Sequence, residues 1–445
     1  MPLARLHAAL LALLLCLMPM AAQAMSFIRD AEIEGTLKRM ATPVFQAAGL
    51  DPDSVRLFII NDRSINAFVI DRNMAFHTGL LARLETPEEL MGVIAHETGH
   101  IAGGHGVQRL DAARAARGPM ILSTILGIAA AAAGAGDAAA AIVAGGQTVG
   151  QRGFLKYTRG QEASADQAAI GYLEAVRVDP TGMLETLERL KAQEIVTIGR
   201  RDPYSLTHPL SAERIRLLER RVAGARSLGA PTPAETAYLH ARLRAKLRGF
   251  LDDPVRTLEA YPVSDRSEAA VLARSVAYHR LPDLPAALRE VEALITARPT
   301  DAYYHELKGQ FLFEGARPAE AAQAYAQAVR LAPDEPLIQT AYARALLSLN
   351  QPQYDQAALR ALQAATRADP LDASSWRQMA TAQARLNDRL GAQLSNAEYL
   401  ALTGSWAAAE RNARQVRDAS PQGSSAWLRA DDIIDAVTRA QRDRN

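Results

Sequence analysis

"TPEELMGVIAHETGHIAGGHG", Thr86 to Gly106, decides how the first half of this chain folds. Thr86, Pro87 and Glu89 form a helix-start signal: a threonine N-cap, proline at the first helical position and glutamate at the third. The helix that follows carries His96, Glu97 and His100 and should fray at Gly103–Gly104. Positions i and i+4 share one helical face, so two imidazoles can converge on a zinc at about 2.0–2.1 Å. Glu97 then sits beside the metal, placed to take a proton from water. The competing reading is a helix with two surface histidines. The apolar neighbours Val93, Ile94 and Ile101 argue against it.

Two histidines do not complete a catalytic site, which needs about three protein ligands and an open position. His105 misses the H-E-x-x-H-x-x-G-x-x-H spacing, because position 106 is glycine. It reads as a packing residue or one behind the ligands. "RGQEASADQAAIGYL" (Arg159–Leu173) offers Glu162 and Asp166, i and i+4 on a second helix. From the residues alone they are either a solvated acidic pair or a third ligand with a partner that orients an imidazole. His208, before Pro209, is either a fixed loop histidine or a group near the metal.

Before this stretch, residues 28–50 read as an amphipathic helix. "VRLFII" (Val55–Ile60), "INAFVI" (Ile65–Ile70) and "MAFHTGLL" (Met74–Leu81) read as strands of a small antiparallel sheet, separated by "NDRS" and "DRN" turns. At the start of the chain, Arg5, the apolar run Ala8–Met18 and "AQA" (Ala22–Ala24) read as a secretory signal peptide cut after Ala24. The run falls short of the ~20 residues that a membrane span needs. Without residues 1–24 there is no cysteine and the charges balance, 49 basic to 49 acidic. That excludes a disulfide framework, and the sequence has no basic run of the kind that grips nucleic acid. A periplasmic location follows as the expectation.

Met120–Gly136 has no charged residue, but glycines interrupt it and its continuation to Gly150. We read Met120–Gly150 as a helical hairpin, buried or covering a cleft, that could touch a membrane peripherally without spanning it. Gly229 and two prolines in "RSLGAPTPAE" (Arg226–Glu235) mark a boundary. The expected units are a signal peptide (1–24), a metallopeptidase domain (25–228) and a helical repeat domain (229–445). In the last, Tyr278, Ala287, Leu294 and Pro299 recur as Leu312, Ala321, Ala328 and Pro333, a shift of 34 residues. Gly309, Ala321, Tyr325, Ala328 and Pro333 resemble the tetratricopeptide pattern. Ala358, Ala365 and Pro370 form a looser copy with three extra residues, and two more degenerate hairpins follow. The fold class is thus mainly α with a small sheet, a zincin-like domain leading into an α-solenoid.

"HETGH", "EASAD" and "SLTHPLSAERI" (Ser205–Ile215) together resemble the HtpX-type zinc peptidases, over roughly residues 30–220. The resemblance implies one Zn²⁺ per chain on His96, His100 and Glu162, with Glu97 as general base and Asp166 supporting a ligand. It places His208 near the metal, either stabilising an oxyanion or capping the fourth position. Asn66, Ala67 and Phe68 match the edge strand that binds substrate backbone. With the signal peptide and the repeats, it implies a periplasmic endopeptidase. Its expected partners are misfolded or stalled outer-membrane proteins and the β-barrel assembly machinery. The rival is a chaperone or adaptor that works through its repeats. The sequence leaves the oligomeric state open.

Overall fold

The structure, a computed structural model, describes residues 27–106, 158–196, 208–209 and 211–442. The signal segment and the Met120–Gly150 stretch lie outside the described residues. Among the described residues, no helix is long and apolar enough to cross a membrane.

The first helix, α1 (Ala31–Ala47), starts on Asp30, whose side chain accepts from the Ile33 amide. It packs Leu37, Met40, Val44 and Phe45 into the core. The sheet has four strands, β1 (Phe27–Ile28), β2 (Arg56–Ile60), β3 (Ala67–Ile70) and β4 (Asn73–His77), in the order β1-β2-β4-β3. β1–β2 and β3–β4 pair antiparallel, but β2–β4 pairs parallel, with Arg56 opposite Asn73 and Ile60 opposite His77. The expected all-antiparallel sheet is therefore mixed.

The turn chemistry explains the difference. Asp71, with φ of +54°, makes the tight turn that pairs β3 with β4. The Asn61–Ser64 segment makes no hairpin. Asp62 O accepts instead from the Gly79 amide (2.8 Å) and Thr78 Oγ1 (2.9 Å), and Ser64 N donates to Asp62 Oδ1. The chain is held around the end of β4, which leaves β3 on the far edge. The same bonds stop the strand at His77, so Thr78–Arg83 is a short helix (α2) where the sequence suggested strand.

The histidine helix, α3 (Pro87–Ala102), has the full reciprocal capping box of Thr86 and Glu89 and ends on Gly103. It packs against α4 (158–175) and α5 (Thr181–Val196). A Cβ on Gly99 would stand 2.8 Å from Ala165 O. Glycine there lets α3 and α4 approach closely enough for their polar side chains to meet. Next come α6 (Ala212–Ala223), capped by Ser211, and α7 (Ala234–Leu251). Leu239, Leu243 and Leu247 of α7 share one core with α1, the sheet and α3.

After α8 (Pro254–Ala260), paired helices begin at Glu268, Ala302, Pro336, Ala373 and Trp406, each followed by an antiparallel partner. Asp283, Asp301, Asp372 and Asp388 cap helix starts by accepting backbone N–H bonds. Ala316, Asn350 and Asn387 take positive φ at the turns inside three pairs. The motif glycine has a direct cause: a Cβ on Gly309 would meet the buried Tyr325 ring at 2.8 Å. Each pair buries small residues against the next, which no pair could do alone.

Candidate metal centre

α3 aims His96 and His100 the same way, with their Nε2 atoms 3.1 Å apart. Glu162, on α4, brings Oε2 to 3.4 Å from His96 Nε2 and Oε1 to 3.4 Å from His100 Nε2. His208 completes the group. Its Nδ1 lies 3.3 Å from His96 Nε2 and 3.0 Å from Glu162 Oε2. One donor atom from each of the four lies within 4.8 Å of the others, and all four residues are buried.

Around this group a second layer fixes orientation. Asp166 Oδ1 stands 2.8 Å from His96 Nδ1, which turns Nε2 toward the cluster. Asp166 in turn accepts two hydrogen bonds from Arg214, from Nε at 2.7 Å and Nη2 at 2.9 Å. Arg214 Nη1 reaches Glu162 Oε2 at 2.9 Å. His105 sits behind His100, Nδ1 to Nδ1 at 2.9 Å. Burial opposes charge on His96, His100, Glu162 and Asp166, and local partners decide which way each goes. Burial pushes His100 down to about 3. His96 resists the same burial, held up at about 9 by Asp166 and Glu162. Glu162 stays well below the ordinary carboxylate range because His208, His100 and His96 outweigh its burial, and Arg214 does the same for Asp166.

Glu97 is different. It is fully buried, and among the described residues neither of its oxygens accepts a hydrogen bond. His208 Nε2 is 3.4 Å from its Oε1. A buried carboxylate without hydrogen bonds costs free energy, and such groups call for an explanation. A polar molecule or ion at the cluster supplies one. Imidazole nitrogens with one carboxylate also make a donor set suited to a divalent transition metal. On both counts the residues fit a metal.

Asn66, Ala67 and Phe68 lie at the start of the edge strand of the sheet among the described residues, with Ala67 and Phe68 in β3 itself. Ala67 O is 3.2 Å from His208 Nε2, so this edge borders the cluster directly. Arg214 is the residue that the sequence reading missed. A signal existed: Ser211 caps a helix immediately after "THP", and a buried Glu162–Asp166 pair needs a cation.

Comparison with known proteins agrees with this geometry. Residues 28–222 match peptidase family M48. A putative beta-barrel assembly-enhancing protease of Vibrio cholerae serotype O1 is 28% identical, over 87% of this chain and 80% of that protein. The beta-barrel assembly-enhancing protease of Escherichia coli strain K12 is 26% identical, over 78% of this chain and 71% of that protein. The mitochondrial metalloendopeptidase OMA1 of Schizosaccharomyces pombe is 26% identical over a shorter span, 41% of this chain and 51% of that protein. The stretch 28–222 that matches peptidase family M48 thus carries a buried cluster that could hold a metal ion.

Proposed function

We propose that this chain is a zinc endopeptidase of the periplasm that works in outer-membrane protein quality control. It would remove misfolded or stalled β-barrel proteins. The observation that carries the reading is Glu97: a buried carboxylate that accepts no hydrogen bond among the described residues, beside four donors that converge within 4.8 Å. The names of the Vibrio and Escherichia relatives support the choice of substrate and partners.

In this reading His96, His100 and Glu162 hold the zinc, and Asp166 with Arg214 keeps His96 and Glu162 oriented. Zinc bound there supplies Lewis acidity, lowering the pKa of water to about 7 and polarising a peptide carbonyl. Glu97 takes the proton of the attacking water and passes it to the departing amine nitrogen. Substrate backbone adds along Ala67–Ile70, where main-chain pairing demands little sequence. The peptidase unit takes residues 25–228, and the repeats of 229–445 present partners to it.

His208 Nδ1 stands among the ligand atoms while its Nε2 faces Ala67 O. That favours His208 as a cap on the fourth coordination position, released when substrate takes the edge strand. His208→Ala should then raise basal proteolysis with zinc content unchanged. A lower rate would leave the oxyanion role instead.

The decisive experiment combines zinc quantification with a casein-type degradation assay on wild type and Glu97→Gln. About one zinc per chain in both proteins and cleavage only in wild type are expected. If both variants degrade casein equally, or neither protein holds zinc, the enzyme reading fails. The chaperone reading then stands.

A further inference from the structure

The charged faces of α7 are treated in opposite ways. On one face, Lys246 meets Asp30 at 2.9 Å and Glu32 at 3.1 Å, and Arg242 meets Glu32 at 2.7 Å. On another, Arg244, Arg248 and Leu251 look into a cleft of about 1110 Å³. The Arg63–Ile65 turn, α2, Arg189 of α5 and the start of α8 close the cleft on its other sides.

Seven arginines and three acids line it. All the acids are committed. Glu85 pairs with Arg189 at 2.8 Å, and Asp252 pairs with Arg248 at 3.1 Å. Asp253 caps α8, accepting from the Val255 and Arg256 amides. Among the described residues, Arg63, Arg83, Arg244, Arg256 and Arg280 have no carboxylate within ion-pair distance. Three of these are nevertheless held in place by backbone carbonyls. Arg83 donates to Arg63 O at 3.0 Å, Arg244 to Glu85 O at 3.1 Å and Arg280 to Gly249 O at 3.0 Å. Arg244 Nε is buried and makes no hydrogen bond among the described residues.

Five uncompensated guanidinium groups around one concavity repel each other and destabilise the folded state. In a chain with 50 basic and 49 acidic residues, they do not follow from composition. Guanidinium forks fixed by carbonyls are ready to take carboxylates in paired hydrogen bonds. The cleft also interleaves these charges with Ile65, Leu251 and Pro254. That mixture suits side chains of both kinds on one strand of polypeptide, whereas a lone phosphate would use only the charges. Ile65 directly precedes Asn66 and the edge strand, so an extended chain passing the end of β3 reaches the cleft.

We propose that this cleft binds an acidic segment of a polypeptide, aspartate- or glutamate-rich with apolar residues between. The site is separate from the metal cluster and needs no cleavage to be observed. The test uses the full chain carrying Glu97→Gln and a short fluorescein-labelled peptide of alternating glutamate and leucine. Fluorescence anisotropy should show binding that weakens with added salt, and no binding of the lysine–leucine counterpart. The exposed pair Arg63→Glu/Arg256→Glu should weaken binding by about tenfold or more with an unchanged melting temperature. If the double variant fails to fold, Arg63→Gln and Arg256→Gln singly should each weaken binding. Equal affinity in the variants overturns the proposal. So does absence of binding, or a site that takes inorganic phosphate or phosphatidylglycerol vesicles but not the peptide.

Discussion

Two buried polar clusters lie in this molecule, and they are built on opposite rules. At the junction between α1 and the repeats, Lys246, Arg242 and Glu32 are almost wholly out of solvent, and each has an oppositely charged partner within about 3 Å. Arg242 also lies over the Tyr304 ring at 4.3 Å. At the metal cluster like groups crowd together, three imidazoles around one carboxylate, with Glu97 beside them accepting no hydrogen bond among the described residues. The first cluster explains itself as charge pairing. The second does not, until something is placed in it. Burial marks neither as functional; among the described residues, a carboxylate with neither oxygen hydrogen-bonded marks one.

The comparison can be broken by substitution. Glu97→Gln should lower the rate of peptide hydrolysis by about 10²–10⁴-fold, the usual range for a lost general base. It should leave the urea midpoint unchanged or higher, since no hydrogen bond among the described residues is lost with the carboxylate. A midpoint that falls would put Glu97 among the structural charges. Lys246→Met should do the reverse. It strips Asp30 and Glu32 of a cation and should cost about 3–5 kcal/mol in urea unfolding. The double variant Lys246→Met/Glu32→Gln should recover part of that loss, and no recovery would mean that the two do not act as a pair.

Asp166→Asn tests the layer between the two rules. It keeps the shape but weakens the hold on Arg214 and His96. Metal affinity, measured by competition with a chelator, should fall about 10–100-fold. An unchanged affinity would show that Asp166 serves packing alone.

The smallest effect concerns Glu335, at the helix start that faces α1. Burial, reinforced by Glu34 and Asp30, raises its pKa to about 7, above the ordinary 4.5. A carboxyl with a raised folded pKa contributes stability that is complete below about pH 4.5 and lost as pH rises through about 7. Glu335→Gln should therefore gain roughly 1 kcal/mol over wild type at pH 8 and nothing at pH 4. Parallel stability curves across that range would show that Glu335 is not the group responsible.

The same contrast explains what could be read from the chain and what could not. The capping box of Thr86 and Glu89, the shared face of His96 and His100, and the Gly309–Tyr325 contact are local or periodic, so spacing carries them. Glu162 needed the resemblance, because a carboxylate pair on a helix reads as solvated until a partner helix is known. The parallel β2–β4 pairing and the role of Arg214 depend on contacts that no local pattern records. The arginine cleft was equally hidden: its residues are scattered from position 63 to position 280 and meet only in space.

The junction has a consequence for the order in which the protein forms. Glu32 waits for Arg242 and Lys246, which follow it by more than two hundred positions, and Arg29 bonds Asp369, 340 residues further on. A ribosome makes the histidine helix long before it makes these cations. Until they arrive, α1 carries a carboxylate that is costly to bury, so its final seat against the sheet and the histidine helix should stay unsettled. Loop closure over so long a span is also slow. The peptidase half should therefore mature late, after the repeat helices exist to receive it, which couples the birth of hydrolytic activity to completion of the polypeptide.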